Sequence, residues 1–218
     1  MAEHVPPALT EPSHDCALCP RLKTFRDDWR AAEPGWHNAP VPNFGSLDAR
    51  LLIVGLAPGL RGANRTGRPF TGDYAGDLLY GTLLRFGFAA GAYAGRADDG
   101  FTLVDAAITN AVRCVPPENK PTPGEERTCR QFLVGTIEAM PRLAAVLALG
   151  RIAHDNAVAA LNAPRAEYPF AHGAEHRIKP LVTVFDSFHC SRLNTNTGRL
   201  TPAMFEAVVK RIRERLAR

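Results

Sequence analysis

The apolar positions along the chain fall into short runs and helical stripes, not into one long hydrophobic stretch. Leu51-Leu52-Ile53-Val54 is a continuous apolar run that stops at Gly55. Such a run, without polar alternation, fits a strand buried on both faces, as parallel sheets require. Ala145 to Leu149, ending at Gly150, and Leu181 to Phe185 have the same character. Thr102 to Thr109 is a weaker fourth candidate. Helical patterns lie between these runs. Leu78, Leu79, Leu83 and Leu84 recur at near-helical spacing within residues 76–86. Thr122-Pro123-Gly124-Glu125 has the form of a helix start, with Thr as N-cap, Pro at the first helical position and Glu three residues after the cap. That helix carries Cys129, Phe132, Leu133 and Ile137. Thr201-Pro202 opens another, with Met204, Phe205, Val208, Val209, Ile212 and Leu216 on one side and Lys210, Arg211, Arg213 and Arg215 outside. Strands alternating with helices predict an α/β fold, a parallel sheet covered on both sides. Ligands in such folds bind at the carboxyl ends of strands. The loops that follow the strand runs are therefore where chemistry is expected.

The 218 residues suit a single domain spanning 1–218, with the polar, Pro-rich residues 1–15 as a loose lead-in. Residues 34–46 hold three Pro and two Gly and read as an irregular, wrapping connection. No apolar run approaches the ~20 residues of a membrane helix. The N-terminus lacks the charged-then-apolar pattern of a signal peptide. These features predict a cytoplasmic protein with no membrane partner, expected to be a monomer. A net charge of +4 is compatible with a polyanionic partner without demanding one. The distribution says more: Arg61, Arg65 and Arg68 crowd one Gly-rich loop, and Arg192 and Arg199 flank another. Basic groups on loops can reach phosphates.

The five cysteines are Cys16, Cys19, Cys114, Cys129 and Cys190. In a cytosolic chain, metal binding or catalysis is a better default than structural disulfides. Cys16-x2-Cys19 is a strong metal signal, and with Cys114 and Cys129 it makes four thiolates. Four thiolates hold either a tetrahedral zinc or an iron–sulfur cluster, and spacing alone does not separate the two. Either would tie the N-terminal arm to the 111–123 loop and to the helix after it. Cys190, directly after His189, stands apart.

The stretch from Gly55 to Asp73 is the most distinctive in the chain. It leaves a buried strand and precedes a helix, and its glycines permit close backbone approach to a ligand. It is neither a Walker loop nor the G-x-G-x-x-G dinucleotide fingerprint. Phe70 has two readings from sequence alone: an aromatic that stacks on a flat base, or a plug beneath the loop. Asp73 is either a helix N-cap or a carboxylate aimed at a water, and the two roles are compatible.

At this point Gly55-Leu56-Ala57-Pro58-Gly59, followed by Asn64-Arg65-Thr66-Gly67-Arg68-Pro69-Phe70-Thr71-Gly72-Asp73, resembles the first motif of the type b, or family 5, iron–sulfur uracil-DNA glycosylases. Three further stretches match that family in order: Thr109 to Pro117, Ala148 to Ala153, and Phe188 to Leu200. The resemblance runs from about Cys16 to the C-terminus. It implies a three-layer α/β/α fold with a central four-stranded parallel sheet, and hydrolysis of the N-glycosidic bond of a base flipped out of damaged DNA. It also implies a [4Fe–4S] cluster on Cys16, Cys19, Cys114 and Cys129.

A base must leave the stack before its glycosidic bond can be attacked. The family match makes Phe70 the stacking aromatic and Asn110 the base reader, since an amide both donates and accepts. It makes His189 the donor to the departing base, by the logic of an oxyanion hole. Gly55, Leu56, Ala57 and Gly59 become walls of the base pocket. Leu56 stands where other uracil glycosylase classes carry Asp, Asn or Glu, so Asp73 becomes the water-directing carboxylate, with Asp77 as the fallback. A dissociative, oxocarbenium-like path asks little of the nucleophile. A pocket without a strong base is expected to act beyond uracil, for example on hypoxanthine. Arg65 and Arg68 are expected at DNA phosphates. Ser191-Arg192-Leu193-Asn194 corresponds to the family's strand-penetrating loop, with Arg192 or Leu193 filling the gap left by the base. No His lies between Cys114 and Thr122, so covalent trapping of the product is not expected. Two rival readings remain. A non-catalytic metal-bearing DNA-binding module would not need Phe70, Asn110 and His189 together. A nucleotide-phosphate hydrolase would need a carboxylate cluster by the Gly-rich loop.

Overall fold

The computed structural model describes residues 9–217. The first half of the chain runs α1 (Pro20–Ala32), β1 (Phe44–Gly45), β2 (Leu51–Gly55), α2 (Ala63–Thr66), α3 (Tyr74–Arg85), β3 (Ala89–Ala90), β4 (Thr102–Leu103) and β5 (Ala106–Asn110). The second half runs α4 (Pro123–Glu138), β6 (Ala145–Leu149), α5 (Arg151–Ala160), β7 (Glu175–Arg177), β8 (Thr183–Ser187), α6 (Arg192–Asn196) and α7 (Pro202–Leu216).

The main sheet has six strands in the order β1-β5-β2-β6-β8-β7. Its four central strands are parallel, and β1 and β7 are antiparallel edges. The expectation of four strands therefore covers the parallel centre and misses both edges. The edges are two and three residues long, too short to show a periodic pattern, and Glu175-His176-Arg177 has no apolar residue.

All residues of the four central strands are buried, which is why β2 and β6 read as unbroken apolar runs, while β5 and β8 carry buried polar residues at their carboxyl ends. Their faces still alternate. Leu51 and Ile53 pack with Leu79, Leu83, Val208 and Ile212 of α3 and α7. Leu52 and Val54 pack with Leu133, Ile137, Ala153 and Ala157 of α4 and α5. The result is an α/β/α sandwich. Caps set the helix starts. Asp73 accepts from the Ala75 and Gly76 amides, so α3 begins two residues before the apolar pattern does. Thr122 and Glu125 form both halves of a capping box.

Two strands differ from expectation. The 102–109 segment is broken at Asp105, which adopts a left-handed φ of 52° and accepts from the Arg50 amide at 2.9 Å. The third run shifts forward to Thr183–Ser187, leaving Leu181 76% exposed and burying Asp186 and Ser187. The loose lead-in is corrected for its described part. The Thr10 carbonyl accepts from Arg113 and Thr136, and Glu11 accepts from the Asn43 amide and pairs with Arg113 at 3.3 Å. Residues 1–8 lie outside the described residues. Among the described residues no helix is long and apolar enough to cross a membrane.

Candidate active site and the cysteine corner

The parallel register places Gly55 beside Asn110 at the carboxyl ends of β2 and β5. A methyl on Gly55 would come within 2.6 Å of the Phe70 ring and collide with Asn110 Oδ1. Glycine here lets the base-reading amide and the aromatic meet over the strand end. Asn110 is 3% exposed, and its Oδ1 is buried without a hydrogen-bond partner. Such an atom costs stability unless something fills its need.

Phe70 sits at φ 51°, a left-handed conformation that costs a bulky residue on the order of 1–3 kcal/mol. Its surroundings impose it. The Phe70 carbonyl accepts from Tyr93 at 3.2 Å, and the Pro69 carbonyl accepts from Tyr80. Arg68 is the brace behind both. It is 5% exposed, donates to Thr71 Oγ1 at 2.8 Å, and grips Asp99 through two bonds of 2.8 and 2.9 Å. The Phe44, Tyr80, Tyr93 and Phe101 rings surround its guanidinium. Hydrogen bonding from Arg68 holds the Asp99 carboxyl well below the usual range. The expectation that Arg68 meets DNA phosphates is corrected: its charge is spent on Asp99, inside an aromatic cage. Arg65, on the same loop, is exposed.

His189 follows β8, and its ring stacks on Phe70 at 5.8 Å between centroids. Burial pushes the imidazole down to about 4, so it is neutral at physiological pH. A neutral imidazole carries one N–H donor and one acceptor nitrogen. Asn194 ties the turn by donating to the His189 carbonyl at 2.8 Å.

Phe70, Asp73, Asn110 and His189 line one cleft of about 490 Å³. Leu56, Ala57 and Gly59 line it too, and Ser191, Arg192 and Leu193 form its rim. Asp73 performs its capping role through Oδ1, while Oδ2 nests against Gly59 and Gly62. Burial raises its pKa, against the lowering effect of the two amides, so this carboxylate holds a proton more readily than a surface Asp does. Asp77 is exposed and does not line the cleft. On the rim, Ser191 caps α6, Arg192 lies over the Tyr74 ring at 5.3 Å, and Leu193 is 73% exposed. Sequence reasoning missed Asn119, which lines the cleft from the loop between Cys114 and Cys129. The left-handed φ of 54° and 57° at Glu118 and Asn119 shapes that approach. Two consecutive non-glycine residues in this region are not visible in a sequence, although Asn tolerates it better than most.

Cys16, Cys19, Cys114 and Cys129 line one small apolar cavity with Leu22, Val112 and Phe132. Burial pushes the Cys19 thiol up, Cys114 to about 11 and Cys129 to about 12. A metal ion would take the place of those protons. The neighbours suit anionic sulfur: the Arg113 amide donates to Cys129 Sγ and the Arg26 guanidinium to Cys114 Sγ, each at 3.3 Å. Ala57 packs against this corner and also lines the cleft, so the two sites share a wall. Cys190 is fully buried in the core beneath α3 and α7, apart from the other four.

The sheet, the loops and the cleft have counterparts in known proteins. The family described as the uracil DNA glycosylase superfamily matches residues 42–213. The chain is 43% identical over 200 residues to a type-5 uracil-DNA glycosylase of Thermus thermophilus, covering 89% of this chain and 90% of that one. It is 40% identical over 201 residues to a type-5 enzyme of Pyrobaculum aerophilum, covering 90% and 87%. A type-4 uracil-DNA glycosylase of Thermotoga maritima matches over a shorter stretch, 41% identical across 43% of this chain and 42% of that one. The match spans all four central strands and the loops that build the cleft, and on that basis the chain belongs to the uracil-DNA glycosylase superfamily, in its type-5 branch.

Proposed function

We propose that this chain is a uracil-DNA glycosylase that hydrolyses the N-glycosidic bond of a base flipped into the cleft beside Phe70. The observation that carries the reading is the convergence of Phe70, Asn110 and His189 on one cleft. A non-catalytic DNA-binding module has no need for that constellation. The type-5 relatives, named for this activity, support it.

In this reading the base stacks on Phe70 and its edge pairs with the buried Asn110 amide, whose Oδ1 lacks a partner within the protein. Cleavage of the C1′–N bond leaves a cationic sugar and an anionic base. The neutral His189 ring donates its N–H to the carbonyl on which that negative charge grows. Asp73 Oδ2 stabilises the cationic sugar, orients a water towards C1′, and takes the proton that the water releases. Its raised proton affinity suits the last step. Arg65 meets the phosphate backbone, and Arg192 or Leu193 fills the vacated stack. Leu56 places no polar atom beside the base, so the pocket also accepts hypoxanthine. The protein acts as a cytoplasmic monomer.

The cysteine corner fits a [4Fe–4S] cluster held by Cys16, Cys19, Cys114 and Cys129. Its four thiols and two N–H donors to sulfur are what such a centre requires. When bound, it cross-links the N-terminal arm, the 111–121 loop and α4, and so fixes Asn119 and Ala57 at the cleft.

The test incubates the protein with a uracil-containing duplex and cleaves abasic sites with alkali. Strand cleavage is expected, with a fall in rate of about 10²–10³ for His189→Ala. Tight binding without cleavage would overturn the enzymatic reading. A hypoxanthine duplex left intact beside a cleaved uracil duplex would overturn the broader specificity alone.

A further inference from the structure

Among the described residues three arginines are almost fully buried, and two of them meet a carboxylate. Arg68 grips Asp99, and Arg113 reaches Glu11. The third, Arg26 on α1, is 1% exposed and has no carboxylate partner among the described residues. It donates to Cys114 Sγ at 3.3 Å and to the Cys16 carbonyl at 2.9 Å, and its Nε is buried without an acceptor.

A guanidinium does not give up its proton in a protein. Burying it without a counter-charge is strongly unfavourable. A carbonyl and a neutral thiol do not supply that charge. Four thiolates on a metal centre do, because their summed charge exceeds that of the metal. We infer that Arg26 is the counter-cation of the cysteine-held centre, retaining it against loss and raising its reduction potential. The inference rests on the proposed cluster and goes beyond it, since four thiolates alone require no arginine. The physical grounds are general. Net charge and hydrogen bonds to the sulfurs set cluster potentials, and a positive donor favours the more reduced, more negative state. The bond to the Cys16 carbonyl also fixes the Cys16-x2-Cys19 turn against α1, so the same side chain orients one pair of ligands and neutralises the other.

The experiment compares wild type, Arg26→Gln and Arg26→Lys, purified intact. Iron per chain, the rate of bleaching by an iron chelator, and the reduction potential are measured. Arg26→Gln is expected to bleach about 10–100-fold faster, as losses of outer-shell partners do, and to have a lower potential. Arg26→Lys keeps the charge and is expected to restore most of both. Leu22→Ala loosens the same corner without removing charge and is expected to leave the potential unchanged. An Arg26→Gln protein with wild-type bleaching and potential would overturn the inference, as would a Lys variant as impaired as the Gln one. If Arg26→Gln does not fold, Arg26→Lys and Leu22→Ala carry the test. A clear fall in potential with Arg26→Lys, which keeps the charge, would then overturn the charge role. A colourless, iron-free wild type would instead overturn the cluster reading itself.

Discussion

Two buried polar clusters flank the sheet, and they solve the same problem in opposite ways. In the cysteine corner, four thiols and the Arg26 guanidinium gather with no carboxylate partner for that cation among the described residues. In the other cluster, Asp186 at the end of β8 accepts from His154 at 2.7 Å, from His176 at 3.1 Å and from the Ala171 amide at 3.3 Å. The second His154 nitrogen faces the Tyr168 carbonyl at 2.7 Å, so both its ring nitrogens meet oxygen acceptors, an arrangement that favours the protonated ring. His154 and Asp186 are completely buried and face each other, so the cluster supplies its own partners. The three groups are close enough to hold a metal ion. Protons already fill that role, because a 2.7 Å contact is a hydrogen bond, shorter than the ~3.3 Å between two ligands on a tetrahedral zinc. A buried cluster calls for a guest only where its own charges do not close.

The largest test of this contrast removes the guest. Cys114→Ser is expected to lose the metal and more than about 5 kcal/mol of stability, judged by structural zinc sites. At this chain length that lowers Tm by more than about 10 °C. Metal retained at full occupancy in the variant, held by the histidine cluster, would break the comparison. Next comes the closed cluster. Asp186→Asn takes away the carboxylate that both His154 and His176 face and is expected to cost about 3–5 kcal/mol, with no change in iron content. Calorimetry and iron analysis of the same sample check both halves. A third, smaller change lies within the cysteine corner. Glu11→Gln takes the counter-charge from Arg113, but Glu11 is 38% exposed. The expected loss is about 1 kcal/mol, read as faster proteolysis of the arm before α1. A loss as large as that of Cys114→Ser would mean that the arm, rather than the centre, holds the corner.

Neither kind of cluster was equally visible in the sequence. Cys16-x2-Cys19 is a local spacing with a chemical meaning, and so was legible. β2 and β6 were legible because burial on both faces leaves nothing polar in them to confuse the pattern. The same rule hid the end of β8, where buried Asp186 and Ser187 look like loop residues until His154 and His176 are placed beside them. Arg68 read as a DNA contact because its loop is polar, and its partner Asp99 lies 31 residues away in another polar loop. Arg26 gave no signal, since nothing along α1 distinguishes a guanidinium turned inward from one turned to solvent. Pairings of this kind depend on tertiary distance, which local pattern does not encode. Phe70, Asn110 and His189 were found through long motifs. Asn119 was missed because its place in the cleft depends on left-handed backbone at 118 and 119.

The smallest expected effect is a pH dependence that belongs to one cluster only. Burial pushes the His154 pKa down, but the bond and charge of Asp186 and the Tyr168 carbonyl outweigh it, and the net shift is upward. His176 faces the same carboxylate and Asp155 lies next in sequence, so the acceptors around the ring outnumber its cationic neighbours. A base whose pKa is raised by folding stabilises the protein fully below its unfolded value, near 6.5, and loses that contribution as pH rises through the folded value. His189 acts in the opposite sense. Burial lowers it to about 4, so its contribution is present above 6.5 and fades as pH falls towards 4. Tm is therefore expected to decline on both sides, through His189 as pH falls from 6.5 towards 4 and through His154 as pH rises from 6.5 to its raised value. His154→Gln should flatten the alkaline limb alone and leave the acid limb and the iron content unchanged. An alkaline limb that survives this substitution would place the titration in the cysteine corner and make that corner the pH-sensitive one.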